Sequence, residues 1–527
     1  MNKAAVKQLT KEGCIVEKEA AESLTEEDIE AIKELNSPPM YITEDMLDSL
    51  REKIDQKLEE MQKQESESNE NLKEDLKEEM ETEDPEESVD DPQEHSNKDK
   101  NTKNKEESGT KGVKILDEGD RNKRMRTKVE VMDEKEITKE EKDVPEFLEY
   151  YNSRYDKMKK LLMRRKELQA ATTLNRLSRR NEGEDATAIG LVKDKYSTNS
   201  GKYIVEIEDK TDTFKVLVDE REGDMIVPDE ALGFIGSMGG DILYANKVVR
   251  PDLPIPDGVK TTEDNVEAAY ISDLHIGSKD TMYNKLQRFA EWLKSEDAKN
   301  VGYLVITGDL VEGVGVYPGQ EEELRVNDVY EQYRLFEEWV DKLPERIQVI
   351  ASPGNHDIVR LSEPQPILPE KALPNIRDYN NVHLVQNPQM VRLHGFETKG
   401  IKNLMYHGSS FDDHVDKIQD LREKAYEEPQ HVMIDLLKRR HLAPTYGDTP
   451  ISPEGEDQLV IYEKPDIFVA GHFHSHCNQS YKGVNVINSS SFQAQTDFQK
   501  RVGHEPDPGK VTIVNYKNRN TRVKNFM

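Results

Sequence analysis

The sequence predicts a multidomain α/β (α+β) chain, and three features carry that prediction. Its last roughly 270 residues alternate short apolar strand-type runs with helical patterns, the sign of layered α/β architecture. Residues 186–250 switch to short alternating β segments. The first 60 residues carry helical periodicity and are set apart from the rest by an acidic, aromatic-free stretch. At 527 residues there is room for two or three domains, and the second half alone can bury a sizeable core.

Thr25 can cap a helix whose first turn is Glu26-Glu27-Asp28, and Thr43 another beginning Glu44-Asp45. Hydroxyl caps and acidic first turns satisfy free amides and the helix dipole. Ile29, Ile32 and Leu35, then Met46, Leu47, Leu50 and Ile54, supply apolar stripes, so residues 1–60 read as a small helical N-terminal domain that docks on something. From Met61 to Gly112 the chain is Glu, Lys, Ser, Asn and Asp without an aromatic residue, and cannot bury enough surface to offset the entropy of ordering. It reads as an acidic disordered linker, drawn here over 61–143.

A basic helix is expected within 144–182, with Phe147, Tyr151, Tyr155, Met158 and Leu162 on one stripe. Lys159, Lys160, Arg164, Arg165 and Lys166 cluster near its end, which fits contact with phosphates and an ordinary solvated face equally well. Next come five short β segments: Ala188–Val192, Tyr203–Ile207, Phe214–Val218, Asp241–Tyr244 and Lys247–Val249, with Asn199-Ser200-Gly201 as a hairpin turn. They suggest a small barrel of the OB type over 183–252. Stacking aromatics are sparse there (Tyr196, Tyr203, Phe214), which favours packing against protein over binding a single strand. After the connector Pro251–Pro256, residues 253–527 form the layered domain, with helices expected over Met282–Lys294 and Val329–Leu343.

No run of about 18 apolar residues is present and Met1-Asn-Lys-Ala-Ala-Val lacks a secretion signal, so a soluble cytoplasmic protein with no membrane partner is expected. Cys14 and Cys477 lie far apart, which indicates neither a disulfide framework nor a zinc ribbon. The net charge of −32 argues against nucleic acid, but residues 51–110 hold 22 acidic and 10 basic side chains, so part of the deficit belongs to the linker.

Five stretches in the second half end an apolar run with metal-ligand residues: Asp273-Leu-His275, Gly308-Asp309, Gly354-Asn355-His356-Asp357, His407-Gly408 and Gly471-His472-Phe-His474. In open α/β sheets, ligands gather in loops beyond the carboxyl ends of strands, where each of these lies. Oxygen donors (Asp273, Asp309, Asn355) mixed with imidazoles (His275, His407, His472, His474) suit manganese, iron or zinc better than calcium. Seven ligands can share two ions if one carboxylate bridges. Gly308 and Gly471 allow tight strand-to-loop turns. Singly, His383, His394, His414, His431, His441, His476 and His504 read as surface or packing residues.

These motifs together resemble the calcineurin-like metallophosphoesterases, nucleases among them, over roughly residues 265–500. The resemblance implies one ion held by Asp273, His275, Asp309 and His474. It implies a second held by Asp309, Asn355, His407 and His472, with Asp309 bridging. It leaves His356 free of metal and facing the scissile phosphate, and Asp357 placed to orient a neighbouring ligand. Two divalent cations are implied, manganese first, with iron, zinc and magnesium as alternatives.

The segments Leu310-Val-Glu312-Gly-Val-Gly315-Val-Tyr317-Pro-Gly-Gln320-Glu-Glu-Glu323, Pro364-Gln-Pro366, Tyr406-His-Gly-Ser-Ser-Phe411-Asp-Asp413 and Ser491-Phe-Gln493-Ala-Gln495-Thr-Asp-Phe-Gln499 narrow the likeness. They are similar to those of the small subunits of archaeal family D DNA polymerases. Domain order agrees. That resemblance implies 3′–5′ exonuclease proofreading on single-stranded or mismatched 3′ ends of DNA. The implied partners are a large catalytic subunit that completes the DNA polymerase and, as a further candidate, the sliding clamp. Gln493 and Gln495 fit contact with a partner or DNA as well as they fit structural roles. A non-catalytic scaffold and a stand-alone repair nuclease or phosphatase are the competing readings.

Overall fold

The computed structural model describes residues 15–16, 41–42, 126–135, 137, 144–447 and 449–527. The chain divides into two compact units, Met1–Ser108 and Gly109–Met527. In the first, Ile15–Val16 and Tyr41–Ile42 pair in parallel. The helical domain expected over 1–60 and most of the linker otherwise lie outside the described residues.

In the second unit, β1 (Val129–Met132) falls within the stretch assigned to the linker, yet it is an ordered strand. The alternation in Val-Glu-Val-Met accounts for it, because Val129 and Val131 turn to the core while Glu130 meets Arg392 at 2.7 Å. Helix α1 (Val144–Leu162) is shorter than the basic helix expected between Pro145 and Arg180. The chain breaks after Leu162 so that Leu168, Leu174 and Leu177 can pack on the neighbouring barrel.

Five strands, β2 (Asp185–Ser197), β3 (Tyr203–Glu208), β4 (Thr213–Val218), β5 (Ala231–Met238) and β6 (Ile242–Val249), close that barrel in the order β2-β3-β4-β6-β5. Only β4 and β6 pair in parallel. The last two segments foreseen in the sequence, Asp241–Tyr244 and Lys247–Val249, are one strand, β6. The missing fifth strand is β5, whose Ala-Leu-Gly-Phe-Ile-Gly-Ser-Met hides its alternation behind two glycines. Both glycines are demanded by close approach: a Cβ on Gly233 would stand 2.4 Å from Leu168 Cδ1, and one on Gly236 would stand 1.9 Å from the Tyr244 carbonyl oxygen.

The remaining chain supplies β7 (Glu267–Ile271), α2 (Tyr283–Leu293), β8 (Val301–Thr307), α3 (Val329–Val340), β9 (Gln348–Ser352), β10 (Val382–Leu384), β11 (Gln389–Leu393) and β12 (Ile401–Met405). It continues with α4 (Phe411–Lys417), α5 (Gln430–Arg439), β13 (Ile467–Ala470), β14 (Cys477–Tyr481), β15 (Val484–Asn488), α6 (Asp497–Val502), β16 (Lys510–Asn515) and β17 (Thr521–Asn525). Two six-stranded sheets result, β10-β9-β8-β7-β16-β17 and β14-β15-β13-β12-β11-β1.

Their inner faces meet through Ala268, Tyr270, Val305, Ile350, Met405, Ile467, Val469 and Ile487. The alternate residues Ala269, Ile271, Leu304 and Ile306 pack outward on α2 and α3, including Trp292 and Trp339. Leu404, Phe468 and Ala470 pack outward on α4 and α5. Burial on both faces is why these strands read as continuous apolar runs rather than alternating ones. The layered sandwich expected from the sequence is therefore present. No helix among the described residues is long and apolar enough to cross a membrane.

Two buried arginines join the barrel to the sandwich. Arg439 Nη1 lies 2.5 Å from Glu230 Oε2, its Nε 2.6 Å from Asp435, and its Nη2 donates to the Met225 carbonyl at 2.7 Å. From α1, Arg154 pairs with Asp457 at 2.6 Å and donates to the carbonyls of Asp229 and Pro444. His414 and His441 contact Asp435 and Asp457, and His394 contacts Asp264, each at 2.8 Å, so these three are packing residues.

Candidate metal centre

Each ligand-bearing stretch begins where a strand ends: Ser272 follows β7, Gly308 follows β8, Gly354 closely follows β9, Tyr406 follows β12 and Gly471 follows β13. Within each sheet these strands run parallel. Their carboxyl ends therefore bring the loops to one rim of the sandwich.

All seven residues singled out as ligands meet there, in two sets. In the first, His275 Nε2 stands 3.1 Å from His474 Nε2, 3.7 Å from Asp309 Oδ2 and 3.9 Å from Asp273 Oδ1, and His474 Nε2 is 3.4 Å from Asp273 Oδ1. In the second, His407 Nε2 stands 3.0 Å from Asn355 Oδ1 and 3.2 Å from Asp309 Oδ2, and His472 Nδ1 is 3.1 Å from Asn355 Oδ1. Asp309 Oδ2 faces both sets. His356 sits at the margin, its backbone N–H donating to Asp309 Oδ1 at 2.9 Å and its ring 4.7 Å from that of His275.

The backbone here is strained. Asp273 (φ 52°), His275 (φ 46°), Asp309 (φ 50°), His472 (φ 70°) and His474 (φ 54°) all occupy the left-handed region. Each such residue carries a cost of about 1–2 kcal/mol, and strain of this kind persists where surrounding structure enforces a functional geometry. Gly308 takes φ 83°, and a Cβ there would lie 2.2 Å from His407 Nδ1. Gly471 serves close approach instead, since its Cβ would lie 2.4 Å from Asp273 Oδ2.

Behind the donors stands a ring of supporting contacts. His275 Nδ1 is 2.8 Å from Glu312 Oε2, His407 Nδ1 is 3.0 Å from the Thr307 carbonyl, His472 Nε2 is 2.7 Å from Asp412 and His474 Nδ1 is 3.1 Å from Gln499 Nε2. Outer partners of this kind fix the orientation of ligating imidazoles. Glu312, Asp412 and Gln499 do not stand out as partners of these histidines in the sequence; Glu312 is one polar residue in a loop, and Asp412 and Gln499 lie in the first turns of α4 and α6. Asp357 accepts from Gly354 N at 2.8 Å, Leu310 N at 3.2 Å and Tyr333 Oη at 2.8 Å, holding the backbone next to Asn355 and Asp309. Gln493 and Gln495 face inward, to Glu312 and to the His504 carbonyl.

Electrostatics test whether cations suit these donors. Burial disfavours a charged His407, yet Asp309 beside it outweighs that and pushes the ring up to about 10. His275 is likewise carried past its desolvation to about 9, by Glu312, Asp309 and Asp273. Burial pushes Asp309 up, but His407, His356 and His275 hold it well below the usual carboxylate range. The raised His275 and His407 reflect the carboxylates around them, while burial holds His474 below its ordinary value, and cations held by these oxygens and nitrogens would balance the negative charge. The donor set is compatible with bound metal.

Glu363, buried beside the centre, accepts from Tyr406 Oη at 2.8 Å and is pushed by burial up to about 7. A raised carboxyl favours the fold below its unfolded value, and that advantage fades as pH climbs through the folded value. In chelator-treated chain, Glu363→Gln is therefore expected to gain stability over wild type between pH 4.5 and 7, by about 3 kcal/mol at 1.36 kcal/mol per tenfold change in proton affinity. Urea unfolding across that range would show it; a constant difference would contradict it.

The class of protein comes from the sandwich sequence: the family of B subunits of DNA polymerases alpha and epsilon matches residues 268–479, which carry all seven donors. More of the chain aligns with individual relatives. It is 40% identical over 389 residues to the DNA polymerase II small subunit of Methanocaldococcus jannaschii, covering 71% of this chain and 64% of that one, just under two thirds. It is 40% identical over 383 residues to that of Archaeoglobus fulgidus, covering 70% and 75%. The chain belongs to the family of DNA polymerase II small subunits. A solved archaeal phosphodiesterase aligns with 49% of this chain and 99% of its own at 16% identity, and a TM-score of 0.24 carries no argument.

Proposed function

We propose that this chain is the proofreading subunit of a replicative DNA polymerase, a 3′–5′ exonuclease on single-stranded or mismatched 3′ ends whose large partner subunit carries out synthesis. The observation that carries the reading is the position of Asp309 Oδ2 between two complete donor sets. Asp273, His275, Asp309 and His474 would hold one ion, and Asp309, Asn355, His407 and His472 the other, with manganese the first choice. When bound, two such ions generate a nucleophile from water and neutralise charge on the phosphate oxygens.

His356 Nδ1 lies 2.8 Å from the main-chain oxygen of Glu312, which can only accept. Nδ1 therefore carries the hydrogen, and Nε2 is the ring atom left for the substrate. Protonated there, His356 donates to a non-bridging oxygen or to the departing 3′ oxygen. We read the barrel, with its single parallel closure between β4 and β6, as OB-type and as the mount for the partner subunit.

Purified complex with Mn²⁺ is expected to shorten 3′-labelled single-stranded DNA. His356→Ala should slow cleavage about a hundredfold, the lower range for one acid–base group, while metal uptake is kept. If the variant edits mismatched primers at the wild-type rate, the chain is a scaffold.

A further inference from the structure

We infer that Glu312 is a positioning residue which fixes His275 for the metal centre, an inference that rests on the reading of that centre given above. Its side chain is 3% exposed and collects donors from three separate loops. Oε2 takes Gln493 Nε2 at 2.9 Å and lies 2.8 Å from His275 Nδ1. Oε1 takes Tyr317 Oη at 3.3 Å and Gln320 Nε2 at 3.4 Å. The carboxylate is held against rotation, because Gln320 is itself anchored by Val316 N at 2.9 Å and Gln493 by Ser278 at 3.2 Å.

An ionised carboxylate has no hydrogen to give, so Nδ1 of His275 must be the donor. The lone pair of the neutral ring then lies on Nε2, the atom that faces Asp273, Asp309 and His474. Only a carboxylate can accept all four contacts. An amide at this position would set its NH₂ against two of these donors and could offer the ring only an uncharged acceptor. The second donor set has no contact with Glu312; its His407 and His472 are steadied by the Thr307 carbonyl and by Asp412. Among the donor imidazoles the effect of Glu312 therefore falls on His275, while its carboxylate also lies 3.8 Å from His356 Nδ1 at the margin.

The test is Mn²⁺ titration of the full chain by calorimetry, with electron paramagnetic resonance to follow pairing of the ions. Wild type should bind in two steps. Glu312→Gln should weaken one step about 10–100-fold, the usual loss when a ligand's outer partner is removed, and leave the other step unchanged. Its spectrum at two equivalents should be that of a single isolated Mn²⁺ site. Glu312→Asp keeps the charge but draws back by one methylene, and should weaken the same step less. Two unchanged steps in Glu312→Gln overturn the inference and leave the centre standing. Equal weakening of both steps, or loss of cooperative unfolding in both variants, overturns it in favour of a purely structural role. Failure of wild type to take up Mn²⁺ overturns the reading of the centre, and this inference with it.

Discussion

Asp309→Asn is expected to abolish 3′-end cleavage, by at least about ten-thousandfold, and to take metal uptake down with it. Asp309 Oδ2 is 3.7 Å from His275 Nε2 and 3.2 Å from His407 Nε2, so a charged oxygen is offered to both donor sets. An amide keeps the acceptor that receives the His356 N–H but removes the charge. On the proposed function each ion would contribute several kcal/mol of transition-state stabilisation, and about 5.5 kcal/mol is four decades in rate. Release of labelled nucleotide, measured beside Mn²⁺ stoichiometry, checks both halves. Substantial activity in the variant with two ions bound would remove Asp309 from the bridging position.

Arg439→Met is expected to be the most damaging single change to stability outside the centre. It would leave Glu230 of the barrel and Asp435 of α5 as buried carboxylates without their nearest cation, Arg250 standing farther off at 3.9 Å from Glu230, a loss of about 3–5 kcal/mol for one partner of a buried pair. Acid sensitivity gives a second readout. Burial pushes the Asp435 carboxyl up, but Arg439 and His414 hold it below the usual range. A depressed carboxyl stabilises the fold above its unfolded value near 3.8, and that contribution goes as pH falls toward the folded value. Wild type should therefore lose stability below about pH 4 through this residue, and the variant should lack that component. Urea unfolding at pH 7 and at pH 3 measures both. A variant as stable as wild type at pH 7 would show that the junction is held by apolar packing alone.

The cluster at the rim was legible because its signal is local. A strand buried on both faces is an unbroken apolar run and the clustered polar residue follows at its carboxyl end, so Ile271 to Asp273 or Ala470 to His472 carries the signal in a few residues. The barrel was legible in number but not in detail. Tyr203–Glu208 alternates plainly, whereas β5 hides behind Gly233 and Gly236, whose reason lies in Leu168 and Tyr244 across the fold. Helix α1 was overextended because nothing near Leu162 says that Leu168 must turn to reach the barrel. Glu312 and Asp412 were invisible as partners of histidines for the same cause: a carboxylate's role is set by what other loops bring to it, and 106 acidic residues make any one of them unremarked.

β1 bears on how this protein can be cut. It pairs antiparallel with β11, Val129 opposite Leu393 and Met132 opposite Met390, across roughly 260 residues of intervening chain. A fragment begun at the Pro251–Pro256 connector would contain every donor of the centre and still lack the outermost strand of its sheet. The N–H and C=O groups of β11 that β1 satisfies would be bare, and Val391 and Leu393 would lose the cover of Val129 and Val131. An uncapped edge of that kind recruits other chains, so such a fragment should aggregate where one begun before Lys128 stays monomeric.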